Sequence, residues 1–536
     1  MTYDYVIVGG GSAGCVLAAR LSEDPAVRVC LLEAGAPDTS PLIHAPAGFA
    51  LMAPMKRNIW PFETVPQPGL NGRRGYQPRG KVLGGSSSVN AMVYIRGRAS
   101  DYDRWAAPLE AGGHGCDGWS WREVLPWFVK AEGNERLGAP AHGTAGPLNV
   151  ADLRTPNPFG RVFIDAAVQA GFRAVDDFNG GDQEGVGAYQ VTQKGGERMS
   201  AARAYLEPAR KRANLEVLTG AAALRVCFEG TRAVGVEMER GGRIEVVNAT
   251  REVILSAGAL QSPQLLMCSG VGPRQHLLEH RIVPLVDAPE VGANLHDHLD
   301  YIINRRFPSL DLVGMSMGGT WRLLRELRRY QRERAGTITT NFAEVGGFVR
   351  TLPALPEPDI QFHFVIAMVD NHNRTMHWGH GYSLHACVLK PKSRGSLRLA
   401  SSDAREPALI DPAFLSDPED VDTLVRAFGT MRRILNTPAF APFRGPELYT
   451  QDLADDDRAG IEAAIRERAD TIYHPVGTCR MGSDASSVVD TALRVRGVRN
   501  LRVVDASVMP ELIAGNTNAP TIMIAERAAD LIRAGA

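Results

Sequence analysis

The sequence predicts an α/β fold with a doubly wound domain and a second domain, and three observations support this. An apolar run at 5–8 leads into a glycine-rich turn, a helix-like run and a second apolar run at 29–32 that ends in Glu33. Strand, turn and helix patterns return near the C-terminus, with a strand predicted over 501–504 and a helix over 521–532. A chain of 536 residues is also too long for one simple core, so we expect two domains or more.

The N-terminal turn has the spacing of a dinucleotide site. Gly9 permits the tight turn, Gly11 lets the backbone approach a pyrophosphate, and Gly14 lets the helix lie close to the strand. The helix N-terminus offers free N–H groups to the phosphates. Glu33 lies 19 residues beyond Gly14, near the ~20 expected for an acid that binds ribose hydroxyls. This favours FAD or NAD over NADP, and a dinucleotide site over a purely structural turn.

The overall composition is that of an ordinary globular protein. Hydrophobic residues make up 44% of the chain and charged residues 22%, and the net charge of -1 gives no reason to expect nucleic acid binding. Seven scattered cysteines without a CxxC pair favour reduced thiols in a cytoplasmic protein. We expect no signal peptide, because the first strand begins by residue 4, and no membrane span, because long uncharged apolar stretches are absent.

Between the two ends, the pattern predicts further elements. Strands are predicted within 214–228, followed by a hairpin that turns near Gly241. Residues 36–80 are rich in Pro, Gly and Arg and are interpreted as extended loop. Residues 80–97 carry a second glycine–serine cluster, which indicates another phosphate-facing turn, with a plain Gly/Ser loop as the alternative.

Two polar clusters near the C-terminus carry candidate catalytic residues. In the first, 473–482, His474 precedes a proline that restricts its backbone, which suits a side chain that must point one way. Histidine can take a proton near neutral pH, as a general base must. In the second, 515–520, the amide of Asn518 can donate to a developing alkoxide. The alternative for His474 is an ordinary core histidine.

A rival signal points to hydrolysis. Residues 314–318 fit the G-x-S-x-G pattern of α/β-hydrolases, with Ser316 as the nucleophile. The apolar run before it is short, Pro308 interrupts it, and no HGGG-type oxyanion loop occurs. We therefore favour a chance match and keep a serine hydrolase as the alternative of another class.

Histidines are concentrated in two segments. Five lie within 363–385, and His296 and His298 flank Asp297. HExxH spacing is absent, and the intervening glycine, asparagine and tryptophan indicate loop. We expect polar loop or cavity residues and no metal site.

A basic amphipathic helix is predicted over 321–334. Leu323, Leu324, Leu327 and Tyr330 fall on one of its faces. The favoured interpretation is a solvated helix with this face packed on the body of the protein. The alternative is peripheral association with an anionic membrane surface.

Taken together, these segments resemble the glucose–methanol–choline (GMC) oxidoreductase family almost end to end. GKVLGGSSSVNAMVYIRGRASDYD, 80–103, is similar to its first signature, and GALQSPQLLMCSGVG, 258–272, to its second; VGANLHDH, 291–298, is also family-like. The resemblance implies a Rossmann-like FAD-binding domain and a second, α+β substrate-binding domain built on an antiparallel sheet. The implied segments are 1–155, 196–300 and 466–536 for the FAD-binding domain, and 156–195 and 301–465 for the substrate-binding domain.

The resemblance also implies the chemistry. His474 would face the flavin, and Asn518, 44 residues later, would be its partner. The implied reaction is oxidation of a primary alcohol to its aldehyde, in which His474 accepts the hydroxyl proton and a hydride moves to flavin N5. The chain is most similar to bacterial dehydrogenases of medium-chain aliphatic alcohols, and choline dehydrogenase is the near alternative.

Candidate substrate contacts are Phe342, Glu344 and Tyr473. The trimethylammonium group of choline would need aromatic faces and a carboxylate around it. Glu344 can supply the carboxylate, but choline-oxidising relatives carry more aromatic residues here than Phe342 alone. We therefore expect a neutral, fairly apolar alcohol.

The predicted FAD contacts come from the N-terminal turn, the first signature and the C-terminal turn. They are Gly9, Gly11, Ser12, Ala13, Gly14, Glu33, Ala34, Trp60, Val82, Gly85, Ser86, Asn90, Ala91, Met92, Val93, Ala223, Asp505, Ala506, Asn516, Thr517 and Thr521. Some family members tether FAD through a histidine at the position of Val89. Valine cannot form that bond, so we expect noncovalent FAD.

The partners are expected to be few. Besides the alcohol, the chain needs an electron acceptor, and a quinone or another carrier is favoured over oxygen. We expect a cytoplasmic protein, with peripheral attachment at the inner face of the membrane as the alternative. The sequence predicts no oligomeric state.

Overall fold

The computed structural model describes residues 1–535, and its first large sheet is the predicted doubly wound sheet. Strand Thr2–Val8 pairs in parallel with Val29–Glu33 on one side and with Arg243–Leu255 on the other. Val29–Glu33 is buried along its whole length, as a central parallel strand covered on both faces must be. The other strands of this sheet are Leu215–Thr219, Ala221–Glu229, Arg232–Arg240 and Leu501–Val503.

The two ends of the chain meet on this sheet. Helix Ser12–Leu21 follows the glycine turn and lies against the last helix, Asn518–Arg533. The guanidinium of Arg20 pairs with the buried carboxylate of Glu526 at 2.7 Å. The N-terminal turn and the C-terminal polar cluster are therefore brought to the same edge of the sheet.

The second large sheet is antiparallel, as the resemblance implied. Its strands, in spatial order, are Asp470–Thr471, Leu299–Arg306, Gly381–Val388, Ile360–Val365, Val345–Val349 and Gly185–Ala188. Alternate residues face opposite sides. Phe362 and Phe364 join the apolar core beneath helices Pro158–Gln169 and Pro418–Leu435, whereas His363 faces the other way.

The remaining elements surround these two sheets. The other helices are Pro41–His44, Phe49–Met52, Ala99–Ala106, Trp121–Ala131, Glu207–Ala209, Gln261–Cys268, Arg274–Glu279, Met317–Glu333 and Arg458–Arg468. The two-stranded pairs are Ile59–Glu63 with Tyr76–Gly80, Glu132–Asn134 with Leu148–Val150, Gln193–Lys194 with Glu197–Arg198, Val271–Gly272 with Val286–Asp287, and Ser396–Arg398 with Leu409–Asp411. Within residues 1–535, every helix is too short or too polar to cross a bilayer.

The segment interpreted as extended loop, 36–80, is more ordered than predicted. It forms two single-turn helices, Pro41–His44 and Phe49–Met52, and a hairpin of Ile59–Glu63 with Tyr76–Gly80. Pro61 and Pro78 face each other in this isolated two-stranded pair, where a missing N–H is tolerated. The prolines of this segment therefore led to the interpretation of a hairpin as loop.

One implied domain boundary separates a short strand from the sheet to which it belongs. Strand Asp470–Thr471 pairs with Leu299–Arg306 in the antiparallel sheet, although the implied FAD-binding segment began at 466. We propose a boundary after Thr471 instead. The other implied segments stay as proposals.

The basic helix, Met317–Glu333, is oriented differently from the favoured interpretation. Leu323, Leu324 and Leu327 are exposed, and the buried side chains are those of Glu326 and Tyr330. The expectation that the leucine face packs on the body of the protein is therefore wrong. The helix is attached by polar contacts, of which the hydrogen bond from the Thr337 N–H to the Glu326 carboxylate (2.9 Å) is one.

Candidate active site

A cavity of about 1670 Å³ lies between the two large sheets. One wall is the glycine turn with the C-terminal segment, and the other is the antiparallel sheet, which contributes Asp300, Ile302, His363 and His385. Ligand sites of drug-sized molecules usually occupy ~300–1,000 Å³. The cavity is therefore large enough for a dinucleotide and a second, smaller molecule.

The N-terminal turn is shaped as predicted for phosphate binding. Gly9 has a φ of +101°, a conformation that residues with a side chain rarely adopt. A Cβ on Gly14 would overlap the Gly9 carbonyl oxygen. A Cβ on Gly11 would meet nothing closer than 3.9 Å, so its open side faces the cavity. Gly9 and Gly14 therefore serve the fold, and Gly11 keeps space for a ligand.

Glu33 stands at the end of its strand as a buried acid. Its carboxylate accepts hydrogen bonds from the N–H groups of Gly10 (2.9 Å) and Gly35 (2.7 Å). Burial raises the pKa of Glu33 to about 7. Because it lines the cavity, it can also accept hydrogen bonds from hydroxyl groups of a ribose.

Two helix N-termini converge beside the glycine turn. The Ser12 hydroxyl, at the start of helix Ser12–Leu21, donates to the Asn518 side-chain oxygen at 2.8 Å. Asn518 is the first residue of the last helix. Both termini carry partial positive charge, which favours an anionic group between them.

The first signature forms the next part of the wall. A Cβ on Gly85 would lie 2.7 Å from the Gly11 Cα, so the two glycine turns touch. The Asn90 side-chain oxygen accepts hydrogen bonds from the Met92 N–H (3.1 Å) and from Arg198 (2.7 Å). Arg198 is fully buried and also donates to the Ile43 and Ser87 carbonyls. Sequence reasoning missed Arg198, which lies outside any motif.

The predicted FAD contacts line this cavity with two exceptions, Gly14 and Val82. Gly14 touches the Gly9 carbonyl, as its predicted packing role requires. Val82 is fully buried and lies in a small cluster with Ile43 and Met52, so it supports the wall from behind. The Asp505 carboxylate is engaged by the Gly258 N–H and the Ser262 hydroxyl, so it shapes the wall and is not free for a ligand.

His474 lies on the same cavity, held by a neighbouring aspartate. Its backbone N–H donates to Asp297 at 2.7 Å, and the other oxygen of that carboxylate accepts from the Thr471 hydroxyl. The side chain is nine-tenths buried. Asp297 thus fixes the segment between strand Asp470–Thr471 and His474.

A second histidine determines which nitrogen of His474 carries the proton. His298 Nε2 donates to the Leu389 carbonyl at 3.1 Å, so its Nδ1 is the acceptor in the neutral ring. His298 Nδ1 lies 3.0 Å from His474 Nδ1, which must therefore be the donor. The lone pair of His474 is then on Nε2. Sequence reasoning noted His298 only as a polar residue, although its place in the family-like VGANLHDH segment was a usable signal.

The surroundings keep His474 neutral. Burial, and then His298, His363 and Arg79, hold the pKa of His474 well below its usual range. Burial likewise lowers the pKa of His298 to about 3. A neutral imidazole with a free Nε2 can accept a proton from a ligand in the cavity.

The asparagine beside His474 is Asn516 and not Asn518. The Asn516 amide nitrogen lies 3.3 Å from His474 Nε2, and its oxygen accepts from Gln361 at 3.1 Å. Asn518 lies on the cavity too, but its side chain meets Ser12. The prediction that Asn518 is the partner of His474 is therefore wrong. A spacing estimate cannot distinguish between two asparagines that are only two residues apart.

The three predicted substrate contacts are placed differently. Phe342 and Tyr473 line the cavity, but Glu344 does not. The Glu344 carboxylate accepts from the Asn157 N–H (2.6 Å) and the Thr340 hydroxyl (2.5 Å). Its carboxylate is thus used inside the second domain, and we withdraw it as a substrate contact.

Ser316, the residue of the hydrolase alternative, caps a helix. Its hydroxyl accepts from the Gly319 N–H (2.9 Å) and lies 2.7 Å from His380 Nε2. His380 Nδ1 donates to the Leu312 carbonyl at 2.8 Å, so a carbonyl stands where a hydrolase triad has a carboxylate. The Ser–His contact closes the start of helix Met317–Glu333.

Histidines do not gather around a metal position. Within residues 1–535, no group of three or more His, Cys, Asp or Glu side chains has the arrangement to hold an ion. His385 pairs with Asp300 at 2.7 Å, and His372 with Asp470 at 3.1 Å. His363 and His385 lie on strands, and the intervening residues 366–380 form the predicted loop.

Comparison with known proteins gives the same family over almost the whole chain. Two sequence models described as GMC oxidoreductase match residues 3–300 and 391–525. The chain is 50% identical to alcohol dehydrogenase [acceptor] of Pseudomonas putida, covering 99% of this chain and 95% of the relative. It is 44% identical to the human mitochondrial choline dehydrogenase, covering 99% and 90%.

A solved structure shares the fold. Pyridoxine 4-oxidase from Mesorbium loti matches with a TM-score of 0.88 and 34% identity, and the match covers 99% of both chains. The chain belongs to the GMC oxidoreductase family, whose cofactor is FAD.

Proposed function

We propose that this protein oxidises a primary, aliphatic and fairly apolar alcohol to its aldehyde. The observation that carries the proposal is the hydrogen-bond chain from Leu389 through His298 to His474, which leaves the His474 Nε2 lone pair on the cavity. The relatives named above supply the reaction class, since one is an alcohol dehydrogenase and the other a choline dehydrogenase.

The residues of the cavity fit FAD. Gly11 leaves open space, Glu33 is a buried acceptor for ribose hydroxyls, and the N-terminus of helix Ser12–Leu21 suits the pyrophosphate. FAD, when bound, supplies the acceptor for the hydride of the alcohol. Val89 lines the cavity next to Asn90, and its side chain cannot form a covalent link, which supports noncovalent binding.

His474 acts as the general base. Its Nε2 takes the hydroxyl proton of the alcohol, while its Nδ1–H stays bonded to His298. Asp297 and His298 hold the ring in one orientation, so little motion is needed for the proton transfer. Burial favours the neutral ring before the reaction and favours release of the proton afterwards.

Asn516 orients the alcohol oxygen. Gln361 donates to its side-chain oxygen, which turns the Asn516 NH2 group towards His474 Nε2. A donor in this place can bind the oxygen as negative charge develops on it. Asn518 is proposed as a cofactor-side residue, because its side chain joins Ser12 at the two helix N-termini.

The cavity composition supports an apolar substrate. Its lining includes the apolar side chains of Ile338, Phe342, Val365 and Met368. Two of the carboxylates on the cavity, those of Asp300 and Asp470, are paired with histidines. Choline remains the alternative, because a choline dehydrogenase is among the relatives.

The electron acceptor and the location are also proposed. A quinone or another carrier is favoured over oxygen, in line with the acceptor-dependent name of the Pseudomonas putida relative. The seven cysteines are free thiols, which suits a cytoplasmic protein.

An anaerobic bleaching screen tests the function. Purified protein should be yellow, and its flavin absorbance should bleach with aliphatic primary alcohols of graded length faster than with choline. A faster response to choline would assign the alternative substrate. A colourless protein that cleaves a nitrophenyl ester, with loss in Ser316→Ala, would contradict the oxidoreductase.

A further inference from the structure

Helix Met317–Glu333 is attached to the protein along a narrow side, and most of its circumference is exposed. Its buried side chains are Glu326 and Tyr330, and Glu326 accepts the Thr337 N–H. Leu323, Leu324 and Leu327, which would face the core in an ordinary surface helix, are 40–51% exposed. The apolar side of the helix is thus available to something outside the chain.

The outermost residues of this helix form a continuous apolar stripe. Met317, Trp321 and Leu324 are spaced by four and three positions, which places them on one side. Met317 is 80% exposed and Trp321 75%. Leu327, three positions after Leu324, borders the stripe, and Leu323, four positions before Leu327, lies further round the helix. Leu323 and Leu327 both line the cavity.

Apolar residues from two other segments continue this surface around the cavity mouth. Leu51 and Met376 are exposed and line the same cavity as Leu323 and Leu327. Trp378 is 68% exposed, and its backbone pairs with Met315, close to the start of the helix. We call the apolar collar the set Leu51, Trp321, Leu324, Leu327, Met376 and Trp378. A monomer seldom exposes a contiguous apolar surface unless it binds something there.

Basic side chains border the collar. The segment 317–334 contains six arginines and two glutamates. Arg328 and Arg332 are exposed and form no ion pair with any described residue of the chain. Lys56 and Arg57, a turn beyond Leu51, are exposed as well. A second copy of this chain would oppose positive charge with positive charge, whereas an anionic lipid surface complements it.

We infer that the apolar collar and its arginines dock on the surface of an anionic lipid bilayer, with the cavity mouth facing the lipid. The collar side chains enter the boundary between head groups and acyl chains, and the arginines bind lipid phosphates. On the proposed function, an apolar alcohol then enters the cavity directly from the bilayer in which it is concentrated. The docking itself does not depend on which substrate is oxidised.

Vesicle flotation tests the docking. The FAD-loaded wild type should float with phosphatidylcholine vesicles that contain phosphatidylglycerol, and much less with phosphatidylcholine alone. The variant Trp321→Ser/Trp378→Ser should lower the partition coefficient by about ten-fold or more, because two large apolar side chains leave the interface. Arg325→Gln/Arg328→Gln/Arg332→Gln should lower binding to the anionic vesicles and remove most of its salt dependence.

Two controls separate docking from general surface apolarity. Ile244→Ser/Val283→Ser removes two exposed apolar residues elsewhere and should float like the wild type. Trp321→Phe/Trp378→Phe keeps apolar rings and should retain most of the binding. In the wild type, brominated lipids should quench tryptophan fluorescence, and the Phe variant should lose that quenching.

Several results would overturn the inference. A wild type that stays with the soluble fraction, or a Trp321→Ser/Trp378→Ser variant that floats unchanged, removes the lipid surface as the partner. A wild-type dimer in light scattering that this variant converts to a monomer would show a second copy on the collar. Bleaching by a short, water-soluble alcohol should be unchanged in the variant, since neither tryptophan lines the cavity. Absent bleaching with intact flotation would refute the proposed function and leave the docking standing.

Discussion

At the scale of single residues, the site depends on the direction of a few hydrogen bonds. The Leu389 carbonyl can only accept, so it fixes the proton on His298 Nε2, and His298 in turn fixes the proton on His474 Nδ1. Gln361 fixes the amide of Asn516 in the same way. A base and a donor are thereby directed at one place before any ligand arrives.

Removal of His474 should stop chemistry and leave the cofactor in place. His474→Ala is expected to slow anaerobic flavin bleaching by about 10²–10⁴-fold, the range of a lost general base. Stopped-flow absorbance gives the rate, and the flavin-to-protein ratio gives FAD retention. In the wild type the rate should stay flat on acidification through pH 6.5, because the lowered pKa keeps His474 neutral there. A variant that bleaches at the wild-type rate would exclude His474 from the mechanism.

The two asparagines form a matched pair. Asn516→Ala should slow bleaching by about 10²–10³-fold with FAD bound, because the donor beside His474 Nε2 is lost. Asn518→Ala should mainly weaken FAD binding, because it frees the Ser12 hydroxyl at the helix N-termini. Bleaching rate and FAD dissociation constant, measured for both, separate the roles. Equal effects of the two substitutions on the rate would contradict the assignment.

At the scale of elements, the N-terminal helix is placed by glycines with different duties. Gly14 lets helix Ser12–Leu21 approach strand Thr2–Val8, and Gly11 leaves the space in front of the helix open. Their separation along the chain is small, but one contacts protein and the other faces the cavity. The element can therefore be tested for fold and for binding separately.

Alanine at these two glycines should have different consequences. Gly11→Ala should leave the melting temperature of the apoprotein near that of wild type and weaken FAD binding, because its Cβ meets no protein atom closer than 3.9 Å. Gly14→Ala should lower the free energy of unfolding by about 1–3 kcal/mol or more, because its Cβ overlaps the Gly9 carbonyl. Thermal denaturation and FAD titration of both variants make the comparison. An unstable Gly11→Ala apoprotein would argue against open space at this turn.

Ser316 should matter for its helix and not for catalysis. Ser316→Ala removes the cap on Gly319 and should cost about 1 kcal/mol of unfolding free energy. Alcohol-dependent bleaching should persist, and Ser316→Thr should restore most of the stability. Urea denaturation and the bleaching rate measure the two properties. Loss of bleaching in a stable Ser316→Ala protein would show that this serine takes part in the chemistry.

At the scale of the whole molecule, two sheets from interleaved segments close around one cavity. The first sheet, which contains parallel and antiparallel pairs, takes strands from 2–33, 215–255 and 501–503. The second, antiparallel sheet takes strands from 185–188, 299–388 and 470–471. Because the chain crosses between the sheets several times, groups that are far apart in sequence are buried together. Several of these groups are ionisable histidines.

These histidines should make stability decline in acid. Burial lowers the pKa values of His296, His298 and His363 to about 3, so below pH 6.5 the unfolded chain binds protons that the folded chain refuses. Above pH 6.5 these histidines are neutral in both states and do not lower the free energy of unfolding. Between pH 6.5 and about 3 they lower it progressively. Glu33, with its pKa raised to about 7, acts in the opposite direction, and so do Asp297, Asp505 and Glu344, whose pKa values burial also raises. Each histidine can contribute about 1.4 kcal/mol per pH unit.

Urea denaturation of the apoprotein at several pH values checks this decline. His363→Phe, which removes one of the three groups, should make the slope shallower by about one proton. A free energy of unfolding that increases when the pH falls from 6.5 to 5 in the wild type would contradict the expectation that the histidines outweigh the carboxyl groups with raised pKa values.

The sequence by itself determined the parts whose requirements are local. Gly9, Gly11, Gly14 and Glu33 lie within one strand–turn–helix–strand unit, so backbone geometry and spacing reveal their task without any long-range contact. His474 was named through the family resemblance of its contiguous segment, and it lies on the cavity. Of the predicted FAD contacts, all but Gly14 and Val82 line the cavity, but cavity residues such as Ala257, Gly258 and Gln261 were not predicted.

Only the tertiary structure decided which residues surround His474 and which side of a helix is exposed. Asp297 and His298 contact His474 from a segment far away in sequence, and Asn516 lies two positions before the expected asparagine. Arg198 and Gln361, which lie outside any motif, hold Asn90 and Asn516 in place. The leucines of helix Met317–Glu333 have the period of a core face, but period does not state what the face meets. Such outcomes depend on how distant segments pack, and local sequence does not encode that packing directly.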